Sequence, residues 1–160
     1  MPTEPTHLLS TSKGDVLLAW LERPFAFVSP FAGGDFALML FIASDEMSAE
    51  EQAALSDALV AQGCRYAVCC GHRCSTWDDS IDYAFLHTDP DLNPPDDRFV
   101  MTTWHDDEPL AEVAWFFLWN TEYDEYVPER FLALAVGGTK ATLEELGSAL
   151  QTAATDDGAA

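Results

Sequence analysis

The chain has 160 residues, a length that suits one domain whose core needs neither disulfide nor metal. Its 28 Asp and Glu oppose seven Lys and Arg, a formal net charge of −21, so its field repels nucleic-acid phosphates and anionic membranes and attracts basic proteins. A hydrophobic share of 48% with 12% aromatic residues marks a folded chain rather than an acidic disordered tail.

The longest apolar runs, Phe36 to Ala43 and Ala114 to Trp119, fall far short of the roughly 20 residues that cross a bilayer. The opening MPTEPTHLLS has no basic start followed by an apolar stretch, so the expected compartment is the cytoplasm, with the cysteines reduced. One domain is expected over residues 1–160, with a frayed start to about residue 10 and a tail from about Thr152.

In chain order, Asp15 to Leu21 reads as a short helix stopped by Pro24. Phe25 to Ser29 is a short strand, and Pro30 to Asp35, with Gly33 and Gly34, is a turn. Phe36 to Ala43 is apolar on both faces, as a central strand covered on both sides must be. Ser48 and Glu51 have capping-box spacing and open a helix that Gly63 closes. Tyr66 to Cys70 is a second buried strand. Ser75 or Thr76 caps a helix through Ile81, Tyr83, Ala84 and Phe85, and the prolines between Thr88 and Asp97 make a loop.

Arg98 to Trp104 is a third strand. Asp106 or Asp107 caps the next helix, with Pro109 in its first turn and Leu110, Val113, Ala114, Phe117 and Leu118 on one face. Phe131 to Val136 is the last strand, and Thr142 with Glu145 forms a second capping box. Strands alternating with helices predict an α/β three-layer sandwich with a mainly parallel sheet of four to five strands, flavodoxin-like or Rossmann-like. The expected order places the Phe36 strand between the Tyr66 and Phe99 strands.

In such sheets ligands bind beyond the carboxyl ends of the strands. That edge is expected to gather Asp45, Glu46, His72, Cys74, His105, Asp106 and Asp107. Carboxylates on adjacent loops would suit Mg²⁺, with Asp45 and Asp106 its first ligands, and His105 could act as an acid–base group. Helix capping accounts for the same acidic residues without any ion, and no cofactor is expected beyond that Mg²⁺. Asp45, Glu46, Asp106, Thr139 and Lys140 resemble in type the residues of phosphoacceptor receiver domains, although Trp104 and His105 precede the aspartate and Thr139 and Lys140 share one loop. Cys74, beside His72 and Arg73, is a candidate reactive thiol.

Trp115, Phe116 and Trp119 lie off the main stripe of their helix, and Tyr123 and Tyr126 sit among carboxylates. These five are candidate interface residues, for self-association or for a basic partner. No complete catalytic motif is present. The function expected is therefore a small acidic accessory protein that binds a protein partner. The alternative is a Mg²⁺-dependent enzyme or receiver-like switch at the carboxyl edge.

Two further stretches, Cys74-Ser-Thr-Trp-Asp-Asp-Ser80 and Asp96 to Leu110 with its Thr-Thr-Trp-His-Asp-Asp-Glu-Pro run, resemble an uncharacterised family of small bacterial α/β proteins. The resemblance covers roughly Phe36 to Val136 and implies no activity, substrate or catalytic residue.

Overall fold

The computed structural model describes residues 4–156. Its strands are β1 (Thr6–Thr11), β2 (Gly14–Leu21), β3 (Phe36–Ile42), β4 (Cys64–Gly71), β5 (Met101–His105) and β6 (Arg130–Val136). Its helices are α1 (Ala49–Ala61), α2 (Cys74–Leu86), α3 (Leu110–Trp119) and α4 (Lys140–Ala154). The strands form one sheet in the order β1-β2-β6-β3-β4-β5, parallel throughout except for the β1–β2 hairpin.

Side chains alternate across a strand, so a strand buried on both faces feeds two cores. In β3, Phe36, Leu38, Leu40 and Ile42 join the core under α1 and α2, whereas Ala37 and Met39 join the core under α3 and α4. In β4, Cys69 faces the first core and Tyr66, Val68 and Cys70 the second. Phe117 of α3 packs edge-on against Phe131 of β6, with ring centres 5.5 Å apart and neither residue exposed. The layered α/β architecture expected from the alternation is what forms.

Five expectations are corrected. Asp15 to Leu21 is strand rather than helix: β2 pairs with β6 from Asp15↔Arg130 to Leu21↔Val136. The start of the chain is not frayed from Thr6 onward, because Thr6–Thr11 folds back on β2; residues 1–3 lie outside the described residues. The sheet therefore has six strands, not four to five. The Phe36 strand lies between β4 and β6, while β5 sits beyond β4. At the other end of the chain, α4 runs on to Ala154, past the expected boundary at Thr152, and residues 157–160 lie outside the described residues.

Several ends also differ in chemistry. The Ser48–Glu51 capping box forms as expected, with Ser48 Oγ accepting from Glu51 N–H at 3.1 Å and Glu51 Oε1 accepting from Ser48 N–H at 2.9 Å. Neither Ser75 nor Thr76 caps α2; Arg73 takes the N-cap position in a left-handed conformation with φ 52° and makes no side-chain capping bond. Asp106 and Asp107 cap nothing, since α3 begins after Pro109 and Asp107 itself turns the chain at φ 59°. α4 begins two residues before Thr142, at Lys140, and Thr142 Oγ1 accepts from Thr139 N–H at 3.1 Å. Phe25 to Ser29 joins no strand; Gln62 holds it, accepting from Ser29 N–H at 2.7 Å and donating to Phe27 C=O at 2.8 Å.

Candidate functional site

The order of the sheet reverses between β3 and β6, which send their following helices to opposite faces. This is the position where open α/β sheets usually split to admit a ligand. Here it is filled. Ala43 and Ser44 N–H groups both donate to Val136 C=O, at 2.9 and 3.1 Å, and Gly137 N–H donates to Leu21 C=O at 2.9 Å. Gly137 has φ 75°, and a Cβ there would lie 2.5 Å from Ser44 Cβ, so only glycine lets the two loops close together.

The residues expected to converge at this edge divide. Asp45 follows β3, His72 and Cys74 follow β4, and His105, Asp106 and Asp107 end or follow β5, two strands from Asp45. Two strand spacings are about 10 Å, more than one ion spans. Asp45, His72, Arg73 and Thr76 line a recess of about 40 Å³, the room of a water or a single ion. Glu46 does not line this recess, and its backbone carbonyl accepts from Arg23 at 3.0 Å. Thr139 and Lys140 follow β6, so the receiver-like set is likewise spread over three strands.

His105 is held rather than free. Its Nδ1 lies 2.9 Å from Glu108 Oε2, its Nε2 lies 3.0 Å from Thr103 Oγ1, and its ring packs 4.8 Å from that of Phe116. The imidazole joins the end of β5 to the start of α3. Cys74 is buried rather than poised on an open loop, and burial pushes its thiol up, opposite to the activation expected from Arg73 and His72. Burial also lifts Cys64 and Cys70 to about 12 and Cys69 well above the ordinary thiol range. All four are buried core residues with free thiols.

A different edge holds a cleft. In a parallel sheet all strands begin at one edge, so a charged residue just before each apolar run arrives there together with the others. Asp35 precedes β3, Arg65 is second in β4, Arg130 opens β6, and Asp96 and Asp97 lie just upstream of β5. With the turn from Tyr123 to Glu129 they line a cleft of about 630 Å³. Six carboxylates face two guanidinium groups there, an excess of four negative charges.

Arg65 organises the floor. Its side chain is 15% exposed, pairs with Asp35 at 3.0 Å, and donates to Phe99 C=O at 3.0 Å and to Tyr123 OH at 3.3 Å. The guanidinium also lies 5.1 Å from the Tyr126 ring centre. Tyr123 OH donates in turn to Phe99 C=O. Tyr123 and Tyr126 exchange backbone hydrogen bonds of 3.2 and 2.8 Å around Asp124, which takes φ 47°, a left-handed conformation that aspartate tolerates. Burial raises both tyrosine hydroxyls, and that of Tyr126 is buried with no hydrogen-bond partner.

A family described as a domain of unknown function (DUF7684) matches residues 18–153. The chain belongs to that family. Membership spans all of the described elements but β1, starting within β2 and ending in α4, a wider stretch than the Phe36 to Val136 resemblance. No curated protein matches the chain. The family name carries no activity, so the side chains alone argue for one.

Of the expected interface residues, Tyr123 and Tyr126 line the acidic cleft. Trp115, Phe116 and Trp119 do not join them. They are half-buried against α4 and β5, and Trp119 Nε1 donates to Ala153 C=O at 3.4 Å. A separate groove between α3 and α4 is lined by Trp115 and Phe116, and the Trp115 indole N–H is buried there without a partner. Sequence reasoning missed Asp35, Arg65, Arg130 and Glu129, although each stands at or just before the start of an apolar strand, a signal visible in the sequence. It also missed Asp78, Asp79 and Asp82 of α2, whose carboxylate oxygens lie within 4.8 Å of one another. Asp82 accepts from Thr102 Oγ1 at 2.9 Å, and burial, more than its acidic neighbours, raises its carboxyl above the ordinary range.

Proposed function

We propose that this protein is a non-enzymatic binding module that captures a basic segment of a partner protein in the cleft at the amino edge of its sheet. The observation that carries this is the cleft's makeup: six carboxylates around two tyrosines, with both guanidinium groups already engaged by Asp35. A lysine or arginine side chain entering it would gain the excess negative field and an aromatic face. The net charge of −21 steers such a partner from a distance. A Mg²⁺-dependent reading ranks below it, because Asp45 and Asp106 stand two strands apart.

The test is calorimetry with a flexible heptapeptide of alternating arginine and glycine, against the same peptide with glutamate for arginine. Binding of the arginine peptide is expected to weaken as salt rises from 50 to 300 mM, on the order of a screened surface interaction. Asp124→Asn with Glu129→Gln removes two cleft charges; at about 6 Å each contributes about 0.7 kcal/mol in a water-like dielectric, so Kd should rise about tenfold. Equal affinity for both peptides, or an unchanged Kd in the double variant, overturns the proposal.

A further inference from the structure

We infer that β5 receives an extended basic segment of that partner as an added strand along the outer edge of the sheet. The inference rests on the acidic-cleft reading for the partner's charge, and on the edge of the sheet for its conformation.

β5 pairs with β4 in unbroken register from Tyr66↔Met101 to Cys70↔His105, and among the described residues no strand lies on its other side. Alternate residues of an edge strand turn their N–H and C=O groups outward, where an added strand can pair with them. Soluble proteins commonly blunt such edges with bulges, prolines or lysines. The opposite edge follows that practice, since β1 breaks register between His7 and Leu9. Met101-Thr-Thr-Trp-His105 has no bulge, no proline and no lysine, and its threonines and tryptophan favour the extended state.

An exposed aromatic side chain stands on this edge. Thr102 donates to Asp82 of α2, so Trp104, two residues on, points to the same face of the sheet. Trp104 is 53% exposed, and Tyr83 of α2 is 65% exposed.

The charge around the strand selects the occupant. Asp78, Asp79 and Asp82 lie along its α2 side, and Asp106 and Asp107 stand beyond its carboxyl end. Asp96 and Asp97, just before its amino end, line the cleft itself, so a chain held in the cleft is led directly to the open edge. A second copy of this protein would set the same carboxylates against each other; a basic strand would neutralise them.

The experiment uses the full chain and a heptapeptide of alternating arginine and valine, N-methylated either at every arginine or at every valine. Only one of these two sets of N–H groups can face the edge of β5. Methylation of that set is expected to weaken binding at least about tenfold through several lost hydrogen bonds, and methylation of the other less than about threefold. Trp104→Ala should weaken the arginine–valine peptide several-fold and leave the flexible arginine–glycine peptide unchanged. Equal losses from the two methylation patterns, or an arginine–valine peptide that binds no tighter than the arginine–glycine one, overturn the inference. So does a dimer that grows with salt and excludes the peptide, which would assign the edge to a second copy. The two proposals fail separately: a double cleft variant with unchanged affinity for the arginine–glycine peptide removes the cleft, whereas loss of the alternating methylation pattern removes the strand.

Discussion

Replacing Arg65 by methionine tests the organisation of the cleft. Methionine keeps most of the buried stem and removes the guanidinium. Four interactions disappear: the bond to Phe99 C=O at 3.0 Å, the pair with Asp35 at 3.0 Å, the longer bond to Tyr123 OH at 3.3 Å and the contact with the Tyr126 ring at 5.1 Å. A charge-assisted hydrogen bond from a mostly buried group contributes about 1.5 kcal/mol. The pair with the half-exposed Asp35 adds about 0.5–1 kcal/mol, and the cation–π contact about 0.5–1 kcal/mol. Phe99 C=O is not orphaned, because Tyr123 OH still donates to it. The expected loss is about 3 kcal/mol, or about 6–12 °C in Tm for a chain of this size. Because six carboxylates would then face Arg130 alone, added sodium chloride should raise the Tm of Arg65→Met more than that of the wild type. The cleft variant should also bind the arginine–glycine peptide more tightly, by the removal of a competing cation. Thermal denaturation with and without 0.5 M salt, followed by calorimetry at a temperature where both proteins are folded, measures all three. A loss under about 0.5 kcal/mol, or weaker peptide binding, would refute the role given to Arg65.

Other expectations follow from single side chains. Ser48→Ala should cost about 1 kcal/mol by removing the α1 cap, read from the shift in urea midpoint. The Glu51 carboxyl is held below its ordinary range by Arg23 and then by Ser48 N–H, so its contribution is present at neutral pH and lost as pH falls through that depressed value; Glu51→Gln should therefore destabilise at pH 7 and little in acid. Asp82 has the opposite sign. Its raised carboxyl means that the folded state takes up the proton first, so stability from this group falls as pH rises through the raised value. Asp82→Asn keeps an acceptor for Thr102 and removes repulsion from Asp78 one turn away, so it should stabilise by about 0.2–0.5 kcal/mol at pH 7 and not at pH 3, measured by thermal melts at the two values. The four cysteines should resist iodoacetamide at pH 8 in the native protein and label together on unfolding; rapid native labelling of Cys74 would restore it as a reactive thiol.

The sequence by itself determined the layers and most of the elements. A strand as apolar as Phe36 to Ile42 has no face to give to water, so it must lie between two helical layers, and Ser48 with Glu51 starts α1 through contacts within one turn. The stripe of α3 and the strand from Phe131 to Val136 were equally readable, because periodicity is a local property. What lay beyond it was pairing. Asp15 to Leu21 has a short apolar pattern that suits helix or strand, and only β6, more than a hundred residues away, supplies the hydrogen bonds that make it β2. The place of β6 between β2 and β3 then puts β5 at the far edge, which separates Asp45 from Asp106 and leaves the carboxyl edge closed by Gly137 against Ser44. The same order brings Asp35, Arg65 and Arg130 to one amino edge and leaves β5 open. Charges before apolar runs are written in the sequence; which of them become neighbours is decided by strand order, a long-range choice that no local propensity carries.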